Sequence, residues 1–186
     1  MRLAIRLAIG CLLAALAASG VRGLEAPVEE GLVLHVWKYE RRMALIENGH
    51  KLREFSIKLG TNPYPPKRWR GDGATPVGRY FIREKNAHSR FHRFLGLNYP
   101  NLSDADVALE DGLIDHFQWN EIFFANMMRK VPPPSTPLGG RVGIHGYGGR
   151  PTLATDWTQG CIAVSDAEID YLFETVQLGT PVVIRE

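Results

Sequence analysis

Asn48-Gly49 is the tightest local constraint on how this chain can fold. A type I′ turn needs positive φ at both central residues, and Asn-Gly supplies that at little steric cost. The flanking runs are β-rich. Residues 32–37 read LVLHVW, residues 43–46 continue that character after the charged turn 38–42, and residues 52–59 form the returning strand. A tight turn between such runs commits the N-terminal part of the domain to an antiparallel sheet. His35 falls on a strand face and His50 beside the turn, so neither reads as a ligand.

The remaining punctuation repeats the theme. Residues 60–78 carry four prolines and four glycines and read as a loop. Its cluster Lys67-Arg68-Trp69-Arg70 suits either a solvated tip or a loop that touches substrate over a cleft. Residues 79–83 and 94–97 read as strands, and Tyr99-Pro100-Asn101 as a turn. Ser103 is placed to cap a helix that Gly112 ends. Ile114, Phe117, Ile122, Ala125 and Met128 then outline the apolar face of a second helix reaching about Lys130, with its methionines and aromatics assigned to the core. Pro132, Pro133 and Pro134 stop it. Residues 141–146 and 162–164 read as short strands. Ser165 and Glu168 have capping-box spacing for a third helix that buries Ile169, Leu172 and Phe173, and 182–184 is the last strand. The expected fold is mainly β with flanking helices.

Length and charge bound the function. At 186 residues the chain holds one ordinary domain plus a leader. Residues 1–23 place Arg2 and Arg6 before an apolar run of about twelve residues and then small residues, the order of a secretory signal peptide. That run is short for the roughly 20 residues that span a bilayer, so no transmembrane anchor is expected after cleavage. Residues 24–31 form a short lead-in and 32–186 the folded domain. Removing 1–23 takes away Arg2, Arg6 and Arg22 and no acid, leaving 19 basic against 20 acidic residues. A near-neutral domain offers no electrostatic reason to expect nucleic acid. Cleavage also removes Cys11, so Cys161 can form no intrachain disulfide. A lone thiol in an oxidising compartment is either buried and inert or kept for its chemistry.

Cys161 lies in the stretch 143–164, GIHGYGGRPTLATDWTQGCIAV, sixteen positions after His145. A thiol ionises near pH 8.5, so it needs a base close by to react at neutral pH, and an imidazole suits. The same imidazole can later protonate a leaving amine. The amides of Gln159, Gly160 and Cys161 fall where an oxyanion would form, and Gly160 allows close backbone approach. Papain-like enzymes order cysteine before histidine, the reverse of this chain. Sortases space the pair far more widely. One cysteine among scattered histidines gives no zinc pattern. The residue pattern leaves two readings open: a Cys–His acyl-transfer site, or a buried cysteine near a satisfied histidine.

His145-Gly146 followed by Thr158-Gln159-Gly160-Cys161-Ile162 resembles the signature of the YkuD-type L,D-transpeptidase catalytic domain. Residues 71–80, GDGATPVGRY, resemble that family's Thr-Pro-x-Gly segment. Ser89-Arg90-Phe91-His92 through Tyr99-Pro100-Asn101, with Asp156-Trp157, look most like its YafK-type branch. The resemblance covers residues 32–186. It implies a flattened β-barrel or sandwich, Cys161 as nucleophile, His145 as general base and then acid, and the Gly146 main-chain carbonyl orienting the ring. It implies peptidoglycan stem peptides as substrate in the cell envelope or periplasm, attacked at the diaminopimelate carbonyl, with no metal or organic cofactor. A wall-attached lipoprotein is a further expected partner. Asp156, Trp157, Tyr99 and Lys67 are candidates to line the substrate cleft, Asp156 by holding an ammonium group.

Two positions depart from the pattern. Ala163 stands where the family usually has arginine, and Gln159 where it often has histidine. Loss of a guanidinium removes a bidentate carboxylate clamp. A hydrolase cutting the peptidoglycan–lipoprotein link would use the same thioester, and a wall-binding module without turnover would share the fold. The sequence leaves these alternatives open.

Overall fold

The computed structural model describes residues 30–150 and 155–186. The expected signal peptide 1–23 and most of the expected lead-in 24–31 lie outside the described residues. Eight strands and three helices follow one another as β1 (Leu32–Trp37), β2 (Arg42–Glu47), β3 (His50–Ser56), β4 (Gly78–Ser89), β5 (His92–Leu97), α1 (Leu102–Glu110), α2 (His116–Met127), β6 (Gly143–His145), β7 (Ile162–Ala163), α3 (Asp166–Thr175) and β8 (Pro181–Arg185). The fold is mainly β with flanking helices, as the sequence leads one to expect.

The strands join in the order β3-β2-β1-β8-β4-β5-β6-β7. Asn48 and Gly49 take φ of 50° and 81°, the positive pair that the β2–β3 hairpin requires. β1 and β8 are parallel, as are β6 and β7, while β4 runs antiparallel to both β8 and β5. The twelve-residue β4 is far longer than the expected 79–83, because its outer half, mostly charged and polar, continues as a strand through backbone pairing with β5. The sequence-based strand 52–59 divides instead. β3 ends at Ser56, and residues 57–60 cross to the opposite end of the strand order. Lys58 and Ala163 exchange amide–carbonyl hydrogen bonds of 2.8 Å each way, and Thr61 N–H donates to Thr158 O at 3.0 Å. The first and last strands of the order are thereby laced together around one core.

That core holds Leu34, Val36, Leu45, Phe55 and Tyr80 from one part of the sheet, Leu95, Ile144 and Ile162 from the other, and Ile169 and Leu172 of α3. Ser165 caps α3 as its spacing predicts, with Glu168 returning the bond. α1 differs from expectation. Its cap is Asn101, which accepts from Asp104 N–H while Asp104 accepts from Asn101 N–H; Ser103 lies exposed inside the helix. α2 differs more. Phe117 and Met128, expected in the core, are exposed at 71% and 63%, and Ile122 alone of its residues is buried. Phe123, Phe124, Met127 and Met128 spread apolar surface around the helix, while Ile122 packs with Ala105 and Ala108 of α1 and with Leu138.

Candidate active site

Parallel pairing of β6 with β7 sets Ile144 beside Ile162 and His145 beside Ala163. Cys161 therefore enters β7 next to Gly143, two register positions from His145. Both side chains line one cleft of about 1220 Å³. Thr158 shapes the approach to the cysteine: its hydroxyl donates to Cys161 O at 2.7 Å and accepts from Gly160 N–H at 3.1 Å. Gly160 has φ of 123°, and a Cβ there would sit 2.5 Å from Ala74 O. Only glycine fits this turn.

His145 is 1% exposed. Its Nδ1 lies 2.7 Å from Gly146 O, so Nδ1 carries the hydrogen and Nε2 keeps its lone pair. Phe91 stacks on the imidazole with centroids 4.2 Å apart and planes 17° apart, and Trp157 meets it edge-on at 5.6 Å. Burial pushes the imidazole pKa below its ordinary value; the Gly146 carbonyl pulls it up, and Arg150 and Arg90 push it further down. Gly146 packs against α3, where a Cβ would meet Asp166 Oδ1 at 2.5 Å. Asp166 in turn accepts from Gly148 N–H and Gly149 N–H at 2.9 and 2.8 Å, fixing the turn after the histidine.

Cys161 is half-buried, and its Sγ lies 3.6 Å from Arg141 O. Burial raises the thiol pKa, against lowering by the Gly143 amide and by Lys67 and Arg90. With the thiol pushed up and the imidazole pushed down, both groups are neutral at rest. A neutral thiol becomes a strong nucleophile only by giving up its proton as sulfur attacks, and an imidazole nitrogen with a free lone pair is a suitable acceptor.

The other expected residues divide sharply. Trp157 lines the cleft beside His145. Lys67 also reaches the cleft wall, but as a buried ion pair: its Nζ lies 2.7 Å from Asp72 Oδ1 and donates to Trp69 O at 2.9 Å. Asp72 also accepts from the amides of Arg68, Trp69 and Ala74, so this pair folds the proline-rich loop. Arg70 of the same cluster lines the cleft, whereas Trp69 is exposed. Asp156 is not a cleft residue. Its carboxylate binds Arg41 at 2.8 and 2.9 Å and accepts from Leu59 N–H at 2.8 Å, clasping the two ends of the sheet. Tyr99 is wholly buried, with its hydroxyl donating to Leu138 O at 3.3 Å, so it does not line the cleft either. The Gly160 amide is directed at Thr158 Oγ1, which leaves the amides of Gln159 and Cys161 as the oxyanion donors to consider.

Sequence reasoning gave no site role to Arg90 and Phe91, read only as part of a family resemblance, and missed Arg150 and Asp166. Phe91 and Arg90 sit in the β4–β5 turn and reach His145 only because β5 pairs with β6, a contact across more than fifty residues that no local signal announces. Among the described residues, no group of three or more His, Cys, Asp and Glu is arranged to hold a metal ion.

The sequence model of the YkuD family, L,D-transpeptidase catalytic domain, matches residues 32–184. No curated protein matches the chain. Among solved structures, the helical cell shape determining protein Pgp2 of Campylobacter jejuni (K307A mutant) aligns with a TM-score of 0.59 and 23% identity, over 85% of this chain and 48% of that one. Bd1075 of Bdellovibrio bacteriovorus aligns with a TM-score of 0.56 and 20% identity, over 84% and 48%. The chain thus spans about half the length of these structures, and at such identity they establish a shared fold.

Proposed function

The chain belongs to the YkuD L,D-transpeptidase catalytic domain family, and on that footing we propose that it is an exported cysteine acyl-transfer enzyme acting on peptidoglycan stem peptides. One observation carries the reading. A half-buried thiol and an imidazole tied through Nδ1 to the neighbouring carbonyl open onto the same cleft from two adjacent parallel strands.

In the proposed reaction Cys161 Sγ attacks the diaminopimelate carbonyl as its proton passes to His145 Nε2. The amides of Gln159 and Cys161 hold the resulting oxyanion. Collapse of the intermediate forms a thioester, and His145 returns its proton to the departing amine of the terminal D-alanine. An incoming amine then loses a proton to His145, attacks the thioester and releases the thiol. No step asks for a cofactor. Export rests on the composition of residues 1–23; among the described residues, no helix is long and apolar enough to cross a membrane.

Ala163 favours keeping a second reading. It is fully buried and paired with Lys58, so no guanidinium stands two residues after the cysteine. With a different acceptor subsite, water can resolve the same thioester, and the enzyme is then a hydrolase of the peptidoglycan–lipoprotein link. Incubation with purified tetrapeptide muropeptides, and with wall carrying bound lipoprotein, separates the readings. Cross-linked dimers between diaminopimelate residues support the transferase, and lipoprotein release without dimers supports the hydrolase. No product from either, with wall binding retained, would leave only an inactive wall-binding module.

A further inference from the structure

The cleft carries Lys67, Arg70, Arg90, Arg141 and Arg150, with Glu84 as its acid. Two of the cations have protein partners: Lys67 pairs with Asp72, and Arg70 donates to the carbonyls of Pro134 and Thr136. Arg90 and Arg150 are held differently. The Arg90 guanidinium carbon lies 4.7 Å from the Phe91 ring centroid, and that of Arg150 lies 5.4 Å from the same ring and 5.3 Å from Trp157. Both residues are exposed, and among the described residues neither forms an ion pair with a carboxylate. An aromatic platform orients a guanidinium without neutralising it, so its planar donors stay available for an incoming anion.

The platform also fixes where that anion would lie. Phe91 is the ring stacked on His145, and Trp157 closes the imidazole's edge. In the acyl-transfer reading, on which this inference rests, His145 delivers the proton to the departing amine. If the departing group is a single amino acid, its carboxylate is two bonds from that nitrogen and falls on the imidazole side of the cleft. A longer departing chain would present an uncharged amide at the same place.

We propose that Arg90 and Arg150 form a carboxylate-binding subsite that reads the free carboxylate of the departing residue and so selects donor chains ending one residue beyond the bond that breaks. They act as specificity-determining residues, separate from the thiol and imidazole.

The test compares a stem tetrapeptide bearing a free C-terminal carboxylate with the same peptide as its C-terminal carboxamide. The readout is the ratio of their kcat/KM values, taken within each variant and so independent of the fraction folded. The wild-type enzyme is expected to favour the acid by about tenfold or more. The Arg90→Ala/Arg150→Ala double variant should bring the ratio close to one, and the corresponding double lysine variant should restore part of it. A wild-type ratio near one, or a ratio unchanged in the double alanine variant, would overturn the subsite. If no turnover of either peptide is seen, the acyl-transfer reading fails by itself. The subsite is then decided by calorimetric binding of the same two peptides to the Cys161→Ala protein, with and without the arginines.

Discussion

Cys161 and His145 read directly from the sequence as a chemical pair, because a thiol and an imidazole each beside a glycine are recognisable in one dimension. Of what surrounds them, the sequence singles out Trp157 and gives Phe91 no role. Desolvation shifts both groups toward their neutral forms, and Phe91 and Trp157 cover the imidazole. A pair neutral at rest makes a clear pH prediction. With the imidazole pKa held below its ordinary 6.5, Nε2 remains a free base throughout the neutral range. Acylation should therefore lose its base only as pH falls below about 6.5. Pseudo-first-order acylation rates between pH 4 and 8 check this, and an acid limb centred above 6.5 would contradict an imidazole held below its ordinary value. His145→Ala should reduce turnover by about 10²- to 10⁴-fold while circular dichroism still reports a folded domain. Near-normal turnover would remove the imidazole from the mechanism.

Among the elements, the hairpin at Asn48-Gly49 and the cap of α3 at Ser165 were legible because their signals are local. The edges of β3 and the caps of α1 depend on partners far along the chain and were not. Asp156 shows the difference. Two residues' worth of sequence suggested a substrate ligand, yet its bonds run to Arg41 and Leu59 across the seam that closes the sheet. Asp156→Ala leaves the Leu59 amide without its acceptor and should cost about 1–3 kcal/mol in urea denaturation, with Asp156→Asn recovering part. A rise in KM with no loss of stability would restore the substrate role. Asp104 in the first turn of α1 offers a second check. Burial raises its carboxyl pKa to about 6, against the Asn101 amide and the Tyr80 hydroxyl, which lower it. The folded state thus holds its proton more tightly than the unfolded chain does. The associated stabilisation is full below about pH 4 and is lost as pH rises through about 6. Asp104→Asn, which keeps an acceptor for Asn101 N–H, should flatten stability between pH 4 and 7. An unchanged pH dependence would show that Asp104 is not its source.

At the scale of the whole molecule, the strand order matters because it brings residues from distant segments to one cleft. β6 supplies the histidine, and the residue just before β7 is the cysteine. The β4–β5 turn supplies Arg90 and Phe91, and the proline-rich loop supplies Lys67 and Arg70. The mainly β character and the three helices followed from pattern and turn chemistry. The exposed apolar surface of α2 did not, because a helix apolar around its circumference gives periodicity no way to say which face is covered. The cleft has a purpose only if its sulfur is a nucleophile that solvent-borne acyl donors can reach. Intact-mass spectrometry after incubation with a carbapenem, an acyl donor that opens on attack by such a thiol, tests that most directly. The wild-type protein should gain the mass of one carbapenem, and the Cys161→Ala protein none. An unmodified wild type, or an adduct that persists after Cys161 is removed, would contradict a cysteine nucleophile in this cleft.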